Sequence, residues 1–218
     1  MNHAPRTRVH NFSISLDGFG TGEGQSRQEP FGHAGRALME WFDGRVLFGI
    51  DRQPEIPAGP ERVLSTAWSQ GIGAEIMGRN KFDPQGGPWR DDGWQGWWGE
   101  EPPFHTPVFV LTHHPRAPIE LHGGTTFHFI DASPAEALET ARTAADGQDV
   151  RIGGGPTTVR DFLAAGLVDH LHVVVVPILL GRGVRLWEGL EGLEADYRVE
   201  ATSAPRGVTH VTFTRTSA

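Results

Sequence analysis

Residues 150–166, VRIGGGPTTVRDFLAAG, restrict the fold more than any other stretch of the chain. A short β-type run, Val150 to Ile152, meets three consecutive glycines, Gly153, Gly154 and Gly155. A helix then begins at Pro156, where the fixed φ suits a first helical position and the missing N–H costs nothing. Val159, Phe162 and Leu163 give that helix one apolar face, and Gly166 is placed to end it. A strand that empties through side-chain-free residues into a helix N-terminus lets a ligand approach the backbone closely. It also aims unpaired N–H groups and the positive dipole end at an anion. Two readings stand: a phosphate cradle, or a tight βα turn that merely needs glycine. The pattern is neither G-x-G-x-x-G nor G-x-x-x-x-G-K-[ST].

A chain of 218 residues predicts one domain with a substantial core. The formal charge of −8 argues against nucleic acid as the main partner, while local basic patches remain free to bind phosphate. There are no cysteines, which excludes disulfides, thiol nucleophiles, iron–sulfur clusters and Cys-type zinc sites. The polar MNHAPRTR start lacks the apolar segment of a signal peptide, and no apolar run is long enough to span a bilayer. A soluble, cytoplasmic protein is expected, with no membrane partner. Residues 1–7 read as a disordered tail and 8–218 as the domain.

Along the chain, Arg8 to Leu16 alternates with His10, Phe12, Ile14 and Leu16 on one face, which predicts a half-buried strand. It ends at Asp17-Gly18, and the Gly-rich segment from Gly20 to Gly35 reads as a lid or binding loop. Arg36 to Phe42 predicts a short helix, and Pro60 to Ser69 another. Strands are expected at Ala74–Met77, Val108–Thr112, Thr125–Ile130, Val150–Ile152 and Asp169–Val176. Ser133-Pro134-Ala135-Glu136 is a capping box that launches a helix to Ala145. Tyr197–Ser203 and Val208–Thr214 form a closing hairpin. Residues 84–104 set Trp89, Trp94, Trp97 and Trp98 among Gly, Asp and Pro, the mark of an ordered aromatic flap or an interface.

Strands alternating with helices, then a hairpin, predict a single three-layer α/β domain. Its sheet is mixed and mostly parallel, flanked by helices, and ends in an antiparallel pair. Ligands of such sheets bind beyond the carboxyl ends of the strands. Three of those ends carry polar punctuation: Gly78-Arg79-Asn80-Lys81, Thr112-His113-His114-Pro115-Arg116 and the triple glycine. Together they offer what a doubly phosphorylated dinucleotide requires.

With these blocks in order the chain resembles the dihydrofolate reductase superfold, and more closely its riboflavin-pathway branch, the reductase domain of bifunctional pyrimidine deaminase/reductases and its stand-alone relatives. The resemblance rests on Ser13-Ile14-Ser15-Leu16-Asp17-Gly18, on Ile76 to Phe82 (IMGRNKF) and on Val110 to His114 (VLTHH). Its most specific part is Ile152 to Pro156 with Gly166 to Leu171 (GLVDHL) and Pro177 to Gly183 (PILLGRG).

The resemblance implies NADPH. It places the adenosine 2′-phosphate at Gly78, Arg79, Asn80 and Lys81 with Thr112, His113 and His114, and above all at Arg79. It places the pyrophosphate at Gly153, Gly154, Gly155, Pro156, Thr157 and Thr158, with a cis peptide at Gly153-Gly154. The loop opening at Gly18 would cover the nicotinamide. Hydride transfer to a C=N or C=O group of a small heterocycle or carbonyl compound follows, with the ribosylamino-pyrimidine of riboflavin biosynthesis as default substrate. A homodimer is expected by the same resemblance.

Aligning Trp41-Phe42 with the aromatic pair of folate reductases puts Leu38 where those enzymes carry their acid. Glu40 could replace it on a rotated helix, and Asp17 is the other candidate acid. Ser13, Ser15 and Trp41 are candidate substrate contacts. A dihydrofolate or pteridine reductase and a non-catalytic nucleotide-binding module are the alternatives. Eleven histidines show no H-E-x-x-H or closed ligand set, so no metal is expected.

Overall fold

A computed structural model describes residues 4–42, 70–204 and 207–216. The helix expected over 60–69 lies outside the described residues. The strands are β1 (Thr7–Ser15), β2 (Phe19–Thr21), β3 (Ile72–Gly78), β4 (Pro107–Leu111), β5 (Ile119–Glu120), β6 (Thr126–Ile130), β7 (Asp149–Gly154), β8 (His170–Val176), β9 (Val184–Arg185), β10 (Tyr197–Ser203) and β11 (Thr209–Arg215). The helices are α1 (Arg79–Phe82), α2 (Pro134–Ala144) and α3 (Pro156–Ala164).

One nine-stranded sheet runs in the order β10-β11-β8-β1-β7-β3-β4-β6-β5, and β2 pairs with β9 in a separate ribbon. From β8 across to β6 the pairings are parallel. Antiparallel pairing is confined to the two ends, β10·β11·β8 and β5·β6. The six parallel strands therefore deliver their carboxyl ends to one edge of the sheet.

Apolar runs explain the layers. Val159, Phe162 and Leu163 of α3 and Ala137, Leu138 and Ala141 of α2 are buried in one cluster with Ile76, Ile152, Leu171 and Val173 of the central strands. A second cluster joins Met77, Val108, Val110, Phe127 and Phe129 to Phe82, Trp98 and Phe104. At about 25 cal/mol per Å² of apolar surface removed from water, such clusters are the main stabilising contribution. The capping box holds as expected: the Glu136 N–H donates to Ser133 Oγ at 3.4 Å and the Ser133 N–H to Glu136 Oε2 at 2.9 Å. Gly166, at φ +67°, ends α3, donating to the Leu163 carbonyl at 2.9 Å.

Several expectations need correction. β1 is not half-buried, for it lies between β7 and β8 and buries both faces. A register shift between Val9 and Phe12, with Asn11 at φ +53°, changes its side-chain parity, and Leu16 is left 60% exposed. The strand also starts inside the expected tail, because Thr7 is fully buried. Residues 36–42 form turns and a 3-10 turn (Glu40–Phe42) rather than an α-helix, although Leu38, Trp41 and Phe42 are buried. The cis peptide joins Gly154 to Gly155, one bond later than expected.

Candidate functional site

Two cavities open along the carboxyl edge of the parallel strands. The first, about 380 Å³, is bounded by Phe12 and Ser13 of β1, the loop residues Gln25 and Phe31, Arg79 to Lys81 of the one-turn helix α1, Trp97 and Trp98, Gly153, and Gly155 to Thr158. The second, about 420 Å³, lies against Leu111 to His114, Asp131, Pro134 and Asp161. Gly78, Arg79 and Thr158 line both, so the cavities adjoin where β3 runs into α1 beside the start of α3. This juxtaposition depends on glycine, since a Cβ on Gly78 would sit 2.1 Å from Thr158 Oγ1.

Arg79 occupies the junction. Its guanidinium donates to the Gln85 carbonyl at 2.9 Å and to Thr112 Oγ1 at 3.4 Å, and stacks on Trp89 at 3.7 Å. Its Nε is buried without a hydrogen-bond partner. The α3 N-terminus has no side-chain cap, and nothing lies within 4 Å of the position a Gly155 Cβ would take. Uncapped amides, open space at Gly155 and an underused guanidinium suit a ligand with two separated phosphates.

The sequence model of the RibD C-terminal domain family matches residues 7–212. The chain belongs to the RibD C-terminal domain family. No curated protein matches it. Among solved structures, a protein of Shewanella sp. PV-4 assigned to riboflavin biosynthesis superposes with a TM-score of 0.59 at 20% identity, over 97% of this chain and 99% of that one. The deaminase/5-amino-6-(5-phosphoribosylamino)uracil reductase of Thermotoga maritima gives 0.53 at 15% identity, over 98% of this chain and 57% of that one. The dihydrofolate reductase of Enterococcus faecalis gives 0.51 at 13% identity, over 99% and 100%. At these identities the likeness shows a common fold, that of dihydrofolate reductase.

Within this RibD-type domain the structure brings most of the expected cofactor residues together. Arg79, Asn80, Lys81, Gly153, Gly155, Pro156, Thr157 and Thr158 line the first cavity, and Thr112, His113 and His114 the second. Arg79 follows directly on β3, and the triple glycine starts within the adjacent strand β7, which ends at Gly154. Lys81 is turned inward, away from the second cavity: its Nζ donates to the Gly153 carbonyl at 2.8 Å and to Glu75 Oε1 at 3.1 Å. Gly154 packs on Phe12 instead of lining either cavity, and Gly18 turns the chain toward β9, its carbonyl accepting from Leu186 N–H.

The expected acids are elsewhere. Asp17 Oδ1 accepts from Ser15 Oγ at 2.6 Å and Leu180 N–H at 3.1 Å, and Oδ2 from Gly181 N–H at 2.7 Å. These bonds, the Ser15 one foremost, hold its carboxyl down at about 2, so it is an anion with no proton to give. It fastens the end of β1 to the 178–183 turn, and Ser15 belongs to the same fastening, accepting from Phe19 N–H. Neither lines the cavity. Glu40 is exposed on its 3-10 turn and does not line it either. Ser13 does, with Oγ accepting the Trp41 indole N–H at 2.8 Å, while Trp41 itself does not line it.

The tryptophan segment is both wall and structure. Trp94 and Trp97 donate to the Phe82 and Lys81 carbonyls at 2.9 and 2.8 Å, Trp89 donates to the His114 carbonyl, and Trp97 and Trp98 face the first cavity. Arg27, from the Gly-rich loop, closes onto this segment, pairing with Asp83 at 2.7 Å and Asp92 at 2.6 Å and stacking on Trp94 at 4.3 Å.

Sequence reasoning missed the charged cluster beneath the first cavity. Glu75 of β3 is fully buried, paired with Arg151 of β7 and with Lys81. The signal was present: one acid inside the apolar strand IGAEIMG and one base inside VRI call for each other. Histidines gather on the other side of β1, where Asn11 N–H donates to His172 Nδ1 at 3.3 Å and His172 Nε2 lies 2.9 Å from His210 Nδ1. Among the described residues no group of His, Cys, Asp or Glu is arranged to hold a metal, and no helix is long and apolar enough to cross a membrane.

Proposed function

We propose that the chain is an NADPH-dependent reductase of a small heterocycle, with a ribosylamino-pyrimidine of the riboflavin pathway as the first substrate to test. The observation that carries this reading is the pair of cavities meeting at Gly78, Arg79 and Thr158 beside the uncapped start of α3. Membership of a family of reductase domains agrees with it. Reduced nicotinamide, when bound, supplies hydride to the carbon of a C=N or C=O group.

The chain's own residues provide the rest. The α3 amides with Thr157 and Thr158 would hold the pyrophosphate. Arg79, with Thr112 and the adjoining His114, would hold the 2′-phosphate in the second cavity, where a guanidinium binds phosphate bidentately. Phe12 and the close-packed Gly20 would form a flat floor for the nicotinamide end; a Cβ on Gly20 would lie 3.1 Å from both Phe12 and Pro156. Trp97, Trp98, Phe31 and Phe104 wall the remaining space with aromatic faces, which suits a planar ring and excludes water.

Thermal unfolding with and without ligand tests binding, since a ligand of the folded state raises Tm by mass action. NADPH at saturating concentration should raise Tm more than NADH. NADPH oxidation in the presence of 5-amino-6-(5-phosphoribosylamino)uracil then tests turnover. No Tm shift with any nicotinamide dinucleotide defeats the reading; a shift without turnover leaves a nucleotide-binding module.

A further inference from the structure

We propose that Lys81 is the catalytic acid of this site, giving its Nζ proton to the substrate atom that gains negative charge. The inference rests on the reductase reading above. Reduction of C=N or C=O needs one proton per hydride, and a positioned donor contributes a factor of about 10²–10⁴.

The described lining of the first cavity contains no Asp or Glu. Its titratable and cationic side chains are His10, Arg79, Lys81 and Arg151. Guanidinium groups do not release protons at working pH. His10 is half-buried beside Arg8, His170, His172 and Arg151, and loss of solvation first, then these neighbours, pulls it down to about 2, so its ring carries no extra proton to give. Lys81 alone remains among the described residues.

Its geometry suits the task. Two Nζ hydrogens are held by the Gly153 carbonyl and Glu75 Oε1, which fixes the direction of the third. The side chain is 29% exposed, on a residue that lines the cavity, while Glu75 beneath it is fully buried. Two groups are bonded to or share this cluster: Glu75 from β3 as its acceptor, and Arg151 from β7, itself paired with Glu75. One buried carboxylate thus serves two cations. Burial lowers Lys81 from its ordinary value to about 7, where donor strength and protonated fraction are both usable. Gly153 makes the cluster possible, because a Cβ there would lie 2.0 Å from Glu75 Oε1 and 2.6 Å from Lys81 Nζ.

The step balances. As the substrate carbon gains hydride, Lys81 Nζ passes one proton to the nitrogen or oxygen whose lone pair forms from the π bond. Lys81 is left a neutral amine, and water reprotonates it through the cavity.

Lys81 is the only lysine in the chain, so protein labelled with 13Cε,15Nζ-lysine gives a single side-chain signal to titrate. The expected midpoint lies near 7; a midpoint near the ordinary value of 10.5 overturns the proposal whatever the substrate. Turnover with 5-amino-6-(5-phosphoribosylamino)uracil supplies the second test. Lys81→Met and Lys81→Arg should each lower kcat by about 100-fold or more, with KM changed far less and the NADPH-induced rise in Tm kept. Lys81→Arg keeps the charge and can bond Glu75 and Gly153, so a merely structural lysine would be rescued by it. Recovery of kcat to within a few-fold of wild type in Lys81→Arg overturns the proposal. If wild type does not turn this pyrimidine over, the choice of substrate fails and the lysine titration still decides the present claim.

Discussion

Lowering the pH from 7 to 5 should destabilise this protein through its buried histidines. His172 is fully buried, and burial, then His210 and His170, depress it to about 3. His10 is depressed to about 2, and burial lowers His170 as well. The hydrogen bonds explain why the folded state rejects a proton. Asn11 N–H donates to His172 Nδ1, so the ring carries its hydrogen on Nε2 and donates it to His210 Nδ1. Both accepting nitrogens are occupied, and an added proton on His172 would also face His210 and His170.

In the unfolded chain these rings titrate near 6.5. Between pH 6.5 and about 3 the unfolded state binds more protons than the folded one, so stability falls as pH falls through that window. Each ring costs about 1.4 kcal/mol per pH unit once below 6.5. At pH 5.0 that is about 2 kcal/mol each, or about 4 kcal/mol for His10 and His172 together, a large part of a typical 5–15 kcal/mol. Carboxylates with unfolded values near 4 contribute little above pH 5, so this window isolates the histidines. Urea unfolding at pH 7.5, 6.5, 5.5 and 5.0 and constant ionic strength measures the slope. His172→Gln, which can still donate toward His210, should lower stability at pH 7.5 yet flatten the acid slope by about 1.4 kcal/mol per pH unit. A wild-type change below about 1 kcal/mol between pH 7 and 5, or an unaltered slope in the variant, refutes the reasoning.

Arg79→Ala should weaken NADPH by about 10- to 100-fold and NADH far less, as charge-assisted phosphate contacts are worth about 1.5–3 kcal/mol; equal loss by calorimetric titration would remove Arg79 from the 2′-phosphate. Gly153→Ala drives a methyl into the Glu75–Lys81 contact, and should cost about 3 kcal/mol in urea unfolding, the order expected when a buried pair is broken; a change under 0.5 kcal/mol would mean the cluster yields freely. Arg27→Ala unties Asp83 and Asp92 from the Gly-rich loop, and limited proteolysis should then cut within residues 84–104 several-fold faster, with an unchanged rate telling against the clasp.

What could be read from the sequence was what short-range chemistry decides. Pro156 after three glycines, Ser133 with Glu136, and Gly166 after an apolar face each impose their geometry on their neighbours, and the structure shows all three. From them came the alternation of strands and helices, the parallel sheet and the edge along which the two cavities open. The triple glycine could not show which of its peptides is cis, because its residues are chemically identical. Nor could Asp17 or Glu40 be given a role from type alone. A carboxyl group becomes an acid, an anchor or a solvated surface group only through its partners, and Asp17 finds those at Leu180 and Gly181.

The charged cluster belongs to the same class of hidden fact. Glu75 and Arg151 are 76 positions apart, yet the β3·β7 register sets them directly opposite each other. Lys81 reaches them because the chain turns back through α1 immediately after β3. None of these choices is locally favourable, since a charge inside a buried strand costs several kcal/mol unless paired. Such a cost is borne where geometry must be held, and here the held group is the ammonium of Lys81, a residue that lines the first cavity. An apolar replacement of the whole cluster, Glu75→Leu with Arg151→Met and Lys81→Met, should therefore leave the domain folded and as stable or more so, while turnover is lost. A triple variant that cannot fold would instead assign the cluster to the architecture of the sheet.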